Sequence, residues 1–255
     1  MLLPTVLVQW AITVLIKTNK LNRHKLTMKS NKNLFLTLIA AIIFALSPLS
    51  MLAGDNIILK SPEDYQVMCI SPNGKWACGV YNDYSYSSYA FRWNLESGAI
   101  ELLSTGDESE AWCISDEGVV SGTFTDRTYN VNHAAIMMPG YYDTEWHMLE
   151  LPQGSVSGGC AYSITPDGHH MAGTVYVGKN IYQTYIWADG KIERALHEGG
   201  IAQAYTISPD GHAAGGWIDT GNRQAAYWKP DGTTQFLSEY KSPWSCVRKF
   251  SPDGK

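Results

Sequence analysis

A four-residue turn recurs along this chain at nearly constant intervals. Its copies are S-P-N-G at 71–74, S-D-E-G at 115–118, T-P-D-G at 165–168, and S-P-D-G at 208–211 and 251–254. The closing glycines are 44, 50, 43 and 43 residues apart. A period of this size is the length of one four-stranded propeller blade. The repeat therefore predicts an all-β chain folded as a β-propeller of four-stranded blades.

Each unit contains four short β-rich runs separated by turn residues. In the fourth unit these runs are Ala202 to Ile207, His212 to Trp217, Ala225 to Trp228 and Thr233 to Leu237. Pro presets φ in the turn, and the closing Gly accepts the left-handed backbone conformation. The predicted units are 65–103, 109–151, 157–196 and 200–237, followed by an incomplete fifth at 242–255.

Two further sets of repeated residues predict how the blades pack. Aromatic side chains dominate core burial, so Trp93, Trp187 and Trp228 are expected between neighbouring blades. Small residues after each turn suit close packing of the inner strands; these are Gly79, Gly122, Gly173 and Gly215.

The ends of the repeat region predict how the ring closes. Residues 56–60 match the final strand of a unit, so we expect them to complete a blade whose other strands come from the C-terminal side. After Lys255 the fifth unit has only its first strand and turn. The interpretation is a truncated propeller.

The N-terminal region has the pattern of a secretory signal. Lys29 and Lys32 precede an apolar run from Leu34 to Leu49, and small residues follow at Ala53 and Gly54. Residues 28–54 are therefore interpreted as a signal peptide that directs the protein to the periplasm or the exterior. Residues 1–27 are interpreted as an N-terminal extension from a start codon assigned too early. The alternative is a hairpin of two membrane segments.

Charge distinguishes the signal region from the repeats. Residues 1–54 hold six of the 19 Lys and Arg and none of the 24 Asp and Glu, which leaves the rest of the chain with a net charge near −11. A domain this acidic has no electrostatic attraction for nucleic acid or anionic lipid. We expect no nucleic-acid partner, and no membrane partner after signal cleavage.

Five cysteines, at 69, 78, 113, 160 and 246, leave at least one thiol without an internal partner. Cys69 and Cys113 lie two positions before the turn Ser, whereas Cys160 and Cys246 lie five positions before the turn Thr or Ser. Each pair therefore marks one repeat position, as expected for buried core residues. Only Cys69 and Cys78, on neighbouring strands of one hairpin, are predicted to be near enough for a disulfide.

The long loops of a blade are expected on the face opposite the repeated turns, and such loops commonly carry binding residues. Three of them place a carboxylate at a matching point, and nearby tyrosines offer flat rings with polar tips. The candidate binding residues are Asp83, Tyr84, Tyr86, Asp126, Tyr129, Tyr182 and Asp219. The alternative is that each Asp caps its own turn.

Catalytic and metal-binding patterns are weak in this sequence. Asp107, Glu108 and Glu110 share one loop, which is not the opposed placement that glycoside hydrolysis uses. His169 and His170 are adjacent on a strand and face opposite sides. We therefore predict no catalytic residues, no metal site and no cofactor.

The combination A-x-x-I-S-P-D-G at 204–211 and A-x-x-W-x-x-D-G at 225–232 resembles the bacterial extracellular HAF repeats and, more loosely, the PD40 repeats of TolB-like, WD40-like propellers. The resemblance covers the chain from about residue 56 onward. Ser115-Asp116-Glu117-Gly118, which lacks Pro, and Met137, where other units have Trp, depart from it. Such propellers serve as binding platforms or as appendages of peptidases.

Together these features predict an exported, non-enzymatic propeller that binds a protein or a glycan through its long-loop face. The alternatives are a carbohydrate-active or peptidase-associated propeller whose catalytic part lies outside this chain, and an inactive truncated gene product. The enzyme alternative predicts carboxylates that converge at one end of the central channel.

Overall fold

The computed structural model describes residues 62–83, 87–104, 107–140, 145–155, 158–178, 181–237 and 244–254. They belong to one compact unit, Lys60–Lys255. The extension at 1–27, the predicted signal peptide at 28–54 and the predicted closing strand at 56–60 lie outside these residues. Within the described residues, no helix is long and apolar enough to cross a membrane.

The described chain folds into four antiparallel sheets of four strands each, and every sheet keeps the strand order of the sequence. The first blade contains β1 (Tyr65–Ile70), β2 (Trp76–Asn82), β3 (Ser88–Asn94) and β4 (Ile100–Leu102). The second contains β5 (Ser109–Ile114), β6 (Val120–Asp126), β7 (Val131–Met137) and β8 (His147–Met148). The third contains β9 (Gly159–Ile164), β10 (His170–Gly178), β11 (Ile181–Ala188) and β12 (Lys191–His197). The fourth contains β13 (Ala202–Ile207), β14 (Ala214–Asp219), β15 (Arg223–Trp228) and β16 (Thr234–Phe236).

The repeated turn has the same geometry in all five copies. The closing glycines have φ between +71° and +81°, the left-handed region that the sequence predicted. In the fourth blade the Gly211 N–H donates to the Ser208 carbonyl at 2.9 Å. The Ser208 hydroxyl donates to Asp210, and the Ala213 N–H donates to the Ser208 oxygen at 2.9 Å. This network joins the first two strands of the fourth blade.

Every inner strand carries a β-bulge at one repeat position. The register between the first and second strands shifts around Met68, Trp112, Tyr162 and Tyr205. A bulge leaves one residue unpaired and redirects its side chain. At the point where the second strand lies against the first, each blade has a glycine. A Cβ there would lie only about 2 Å from a backbone carbonyl oxygen of the first strand, so a larger residue does not fit. This holds at Gly79, Gly122, Gly173 and Gly216.

In the fourth blade the close contact with the first strand falls on Gly216, whereas Gly215, the glycine that the sequence predicted, packs closely against the next inner segment. A Cβ on Gly216 would lie 1.8 Å from the Gln203 carbonyl oxygen. A Cβ on Gly215 would instead lie 2.5 Å from the Val247 side chain, which packs from the following segment. Gly216 therefore allows the close contact within the blade, and Gly215 allows the close contact with the following segment.

Apolar flanks hold neighbouring blades together. Trp187 packs with Val119 and Leu149 of the second blade, and Trp228 packs with Ala172 and Ile186 of the third. Both indole rings are fully buried, which agrees with the predicted role between blades. Met137 takes the equivalent place in the second blade and packs against the first. Trp93 of the first blade is partly exposed.

Residues 245–250 take the place of a fifth inner strand. The Val247 N–H donates to the Gly216 carbonyl, and the Ser245 N–H donates to the Arg223 carbonyl. The Ser245 Oγ accepts from the Ala225 N–H at 2.9 Å, as Ser109 Oγ accepts from the Ala90 N–H at 3.0 Å between the first two blades. The described residues therefore form four complete blades and the first segment of a fifth, as the repeat predicted.

Candidate functional site

The inner strands of the four blades and the segment 245–250 line a common axial channel. A cavity of about 370 Å³ at its centre is lined by one equivalent residue from each repeat: Met68, Trp112, Tyr162, Tyr205 and Arg248. The first four are the bulged residues of their strands. The bulges therefore direct one side chain per blade toward the channel.

Three of these side chains form a continuous series of ring contacts, here called the aromatic arc: Trp112, Tyr162 and Tyr205. Their ring centroids are 5.4 Å and 5.1 Å apart, with interplanar angles of 70° and 69°. Edge-to-face packing of this kind is favoured by the ring quadrupoles. The Arg248 guanidinium lies 4.4 Å from the Tyr205 centroid and extends the series by a cation–π contact.

At the long-loop end the channel opens into a cleft of about 600 Å³ between the second and third blades, here called the loop cleft. Its aromatic lining includes Trp112, Tyr162, Tyr176 and Tyr182, and its polar lining includes Glu110, Asn130, Asn132, Thr174 and Gln203. The Tyr176 and Tyr182 rings are 5.3 Å apart across β10 and β11. Aromatic surfaces and neutral hydrogen-bonding groups thus converge on one concave site.

One buried hydroxyl of the loop cleft lacks a hydrogen-bond partner among the described residues. Thr174 is 4% exposed, and its Oγ1 is paired with no described atom. Thr184, directly opposite on β11, has the same unpaired hydroxyl but does not line the cleft. Buried polar groups in native proteins are usually paired, so this hydroxyl leaves unused hydrogen-bonding capacity in the wall of the cleft.

Burial keeps the ionisable groups of the loop cleft protonated over a wider pH range. It raises the pKa values of Cys160 and Tyr162 well above their ordinary values. Burial also raises the pKa of the Glu110 carboxyl, and the neighbouring charge of Glu108 adds to this effect. At neutral pH the Cys160 and Tyr162 groups are therefore neutral hydrogen-bonding groups.

The predicted aspartates all contact their own loops. Asp126 and Asp219 accept from the N–H groups of Thr128 and Gly221, two residues further on, at 2.8 Å and 2.9 Å. Asp83 accepts from the Ser87 N–H at 3.0 Å. This is the geometry that the capping alternative describes.

The predicted tyrosines differ in their positions. Tyr182 lines the loop cleft, whereas Tyr129 is 76% exposed and does not line it. Tyr84 and Tyr86 lie outside the described residues. A binding role for these predicted residues stays a prediction.

The opposite end of the channel, next to the repeated turns, has a mainly apolar lining that also includes Lys249. A cavity of about 380 Å³ is lined there by one apolar residue of each inner strand or segment and by the turn prolines. These residues are Ile70, Ile114, Ile164, Ile207 and Phe250 together with Pro72, Pro166, Pro209 and Pro252. We call this cavity the turn mouth; the two ends of the channel therefore differ in polarity.

The cysteine contacts differ from those that the sequence predicted. Cys69 and Cys78 are opposite each other in the strand register, but the Cys69 sulfur lies 3.4 Å from the Cys113 sulfur. Cys69 and Cys113 occupy the same repeat position on adjacent inner strands, which brings them together at the channel wall. All five cysteines are free thiols in the structure.

The remaining candidate chemistry is dispersed. His169 contacts Asp189 at 2.7 Å, and His170 contacts Glu193 at 3.5 Å, so the adjacent histidines have separate partners. Among the described residues, no group of three His, Cys, Asp or Glu side chains is placed to hold a metal ion. Glu110 is the one carboxylate among the described residues that line the loop cleft.

Sequence reasoning missed the aromatic arc, although its signal was present. Trp112, Tyr162 and Tyr205 stand at one repeat position, three residues before the turn Ser or Thr. An aromatic residue repeated three positions before the turn is therefore the sequence signal for side chains that face the channel.

Four-stranded sheets arranged around an axial channel define a β-propeller. Among solved structures, the chain is similar to TolB from Acinetobacter baumannii, with 20% identity and a TM-score of 0.54 over 74% of this chain and 47% of that one. It is also similar to a putative TolB from Agrobacterium tumefaciens, with 18% identity and a TM-score of 0.51 over 71% of this chain and 64% of that one.

The chain thus spans between about half and two thirds of the length of these two structures. At these identities the likeness shows the fold, which is the fold of TolB propellers. No protein-family model and no curated protein sequence matches the chain. The HAF likeness stays a prediction from the repeat.

Proposed function

We propose that this protein is an exported, non-enzymatic propeller that binds a neutral glycan in the loop cleft. Export is inferred from the signal pattern at 28–54. The observation that carries the binding proposal is the loop cleft itself, where tyrosine rings, side-chain amides and the unpaired Thr174 hydroxyl converge.

The chemistry of the lining favours a sugar over an apolar ligand. Tyr176 and Tyr182 offer ring faces whose negative quadrupole attracts the C–H groups of a sugar ring. Asn130, Asn132 and Gln203 both donate and accept hydrogen bonds, as sugar hydroxyls do. A volume of about 600 Å³ lies within the range of small-ligand sites.

Charge favours a neutral glycan over an acidic one. Glu110 lines the cleft, and the chain from residue 55 onward has a net charge near −11. An acidic polysaccharide would be repelled by this field at low ionic strength.

The same lining favours binding over hydrolysis. Glycosidases use two carboxyl groups separated by about 5–10 Å. The described lining of the loop cleft supplies one, Glu110. We therefore infer a binding site without glycosidase chemistry.

The proposal is tested by screening the purified protein on an array of neutral and acidic glycans and then measuring affinity by calorimetry. We expect a neutral oligosaccharide to bind. The Tyr182→Ala variant should weaken that binding by about tenfold, because one stacking surface is lost. Tyr129→Ala is the matched control on the same face and should leave affinity unchanged, since Tyr129 does not line the cleft.

A second pair of variants tests the unpaired hydroxyl. Thr174→Val and Thr184→Val both remove a buried hydroxyl that has no described partner, so neither should lower thermal stability. Only Thr174→Val should weaken glycan binding. Equal affinities for the two variants, or loss of binding in Tyr129→Ala but not in Tyr182→Ala, would contradict the assignment of the site.

A further inference from the structure

We propose that Cys69 and Cys113 form a reactive dithiol in the channel wall, which small negatively charged disulfides oxidise to a disulfide bond between the first two blades. This site is separate from the loop cleft, which neither cysteine lines. The proposal therefore stands independently of glycan binding.

Geometry brings the two sulfurs together. Both cysteines directly follow the bulged residue of their inner strands, so their side chains leave the backbone at equivalent places on adjacent blades. The two Sγ atoms are 3.4 Å apart. A disulfide bond of about 2.05 Å requires the sulfurs to approach by roughly 1.4 Å.

The dithiol is reachable from the channel. Cys69 and Cys113 line both the central cavity and the turn mouth. Cys78, by contrast, is fully buried in the core between the first two blades and lines neither cavity. A small reagent that enters the channel therefore meets Cys69 and Cys113 before Cys78.

The charges around the dithiol select for anions. Lys249 lines both cavities and Arg248 lines the central one. None of the described residues that line these two cavities is an Asp or a Glu. This part of the channel is therefore positive inside a domain that is otherwise acidic, and low-dielectric walls strengthen its attraction for anions.

The two thiols differ in acidity, which assigns their roles. The hydrogen bond with Cys113 lowers the pKa of Cys69 to about 6, and the charge of Lys249 acts in the same direction. The same hydrogen bond and burial raise the pKa of Cys113. Since the thiolate is the nucleophile, Cys69 attacks first and Cys113 reacts second.

The reaction proceeds in two exchange steps. The Cys69 thiolate attacks one sulfur of the reagent disulfide; an S–S bond forms to Cys69, and the second reagent half leaves as a thiolate. Cys113 then loses its proton to water and attacks the Cys69 sulfur, so the Cys69–Cys113 bond forms and the first reagent half leaves as a thiolate; the two released thiolates take up protons from water. Both cysteines are oxidised, and one reagent disulfide is reduced to two thiols.

The test treats the reduced full-length protein with oxidised glutathione, which is anionic, and with cystamine, a cationic disulfide. Intact mass and peptide mapping follow the products. We expect loss of two hydrogen atoms, a cross-linked peptide that joins Cys69 to Cys113, and a reaction at least fivefold faster with oxidised glutathione than with cystamine. Raising the salt concentration should reduce this ratio, because salt screens Arg248 and Lys249.

Two variants separate the roles of the cysteines. Cys113→Ser should stop the reaction at a stable mixed disulfide between Cys69 and glutathione. Cys246→Ser is the matched control, since Cys246 lines neither cavity, and should react like the unmodified protein.

Peptide mapping of the unmodified protein decides the proposal without any variant. A cross-link between Cys69 and Cys78, or no modification of Cys69 in the folded protein, would overturn it. A faster reaction with cystamine would overturn the preference for anions.

Discussion

Gly211 shows how a single residue of the repeated turn serves two neighbouring blades. Its φ of +80° closes the hairpin of the fourth blade. A Cβ at this position would also lie 2.6 Å from Cγ of His170, on β10 of the third blade. Gly232 has a similar φ of +86° in the outer turn of the same blade, and a Cβ there would meet nothing within 4 Å.

Comparing these two glycines separates the cost of backbone strain from the cost of a steric clash with His170. Gly232→Ala should cost about 1 kcal/mol, the penalty of a left-handed residue with a side chain. Gly211→Ala should cost that amount and about 1–3 kcal/mol more, because His170 must move. Chemical denaturation followed by circular dichroism measures both. Equal costs would show that the third blade yields freely at His170.

At the scale of the element, the hydrogen bonds of the repeated turn make the stability of the fold depend on pH. Asp210 accepts hydrogen bonds from the Ser208 hydroxyl and from the His212 N–H. These bonds, the Ser208 bond first, lower the pKa of Asp210 below its ordinary value of 3.8. In the first blade Asn73 accepts the equivalent bonds from Ser71 and Lys75, and it carries no titrating group.

The Asp210→Asn variant should therefore be less sensitive to acid. A carboxyl whose pKa is lower in the folded state adds stability above its unfolded pKa, and that stability is lost as pH falls through the folded pKa. Below pH 3.8 the unmodified protein should lose this contribution, whereas the Asn variant keeps its neutral hydrogen bonds. Melting temperatures between about pH 5 and pH 2 measure the difference. Parallel curves for the two proteins would contradict the role of these bonds.

The turns could be predicted from the residues because their chemistry is local. Pro, Asp and Gly act within four residues, so their spacing was enough to place the hairpins and count the blades. The bulges could not be predicted in the same way. A bulge at Tyr162 or Tyr205 shifts the register by one residue and so changes which side chains face the channel. The alternation of apolar and polar residues along the strand does not show where that shift occurs.

Contacts between blades were equally hard to derive, because they depend on the rotation from one blade to the next. The proximity of Cys69 and Cys78 followed from a hairpin, whereas that of Cys69 and Cys113 requires two adjacent inner strands. The loop cleft likewise depends on contacts between blades, since residues of more than one blade line it. Tyr182 was predicted from its loop, but Glu110 of the second blade joins it only when the second and third blades pack together.

At the scale of the whole molecule, stability depends on the flanks that successive blades share. Trp187 illustrates this dependence, since it is fully buried and its Nε1 donates to the Glu150 carbonyl of the second blade at 2.8 Å. Trp228 fills the equivalent place between the third and fourth blades, but its Nε1 has no hydrogen-bond partner among the described residues.

Replacing each indole by a phenyl ring should reveal the hydrogen bond between blades. Both Trp187→Phe and Trp228→Phe lose buried volume, but only Trp187→Phe leaves the Glu150 carbonyl without its donor. We expect Trp187→Phe to be about 1 kcal/mol more destabilising, the usual net value of one hydrogen bond. Urea titration measures the difference. A larger loss in Trp228→Phe would contradict this account.

Because every inner strand carries the same bulge, the residues that line the channel differ from the residues that hold the blades together. Met68, Trp112, Tyr162 and Tyr205 stand out of register with their partner strands, while the turns and the apolar flanks are built from other residues. We therefore expect substitutions at these positions to change the channel lining while the turns and the apolar flanks stay in place. In a propeller of this design one codon per repeat is enough to change the channel lining, which makes it a modular starting point for engineering.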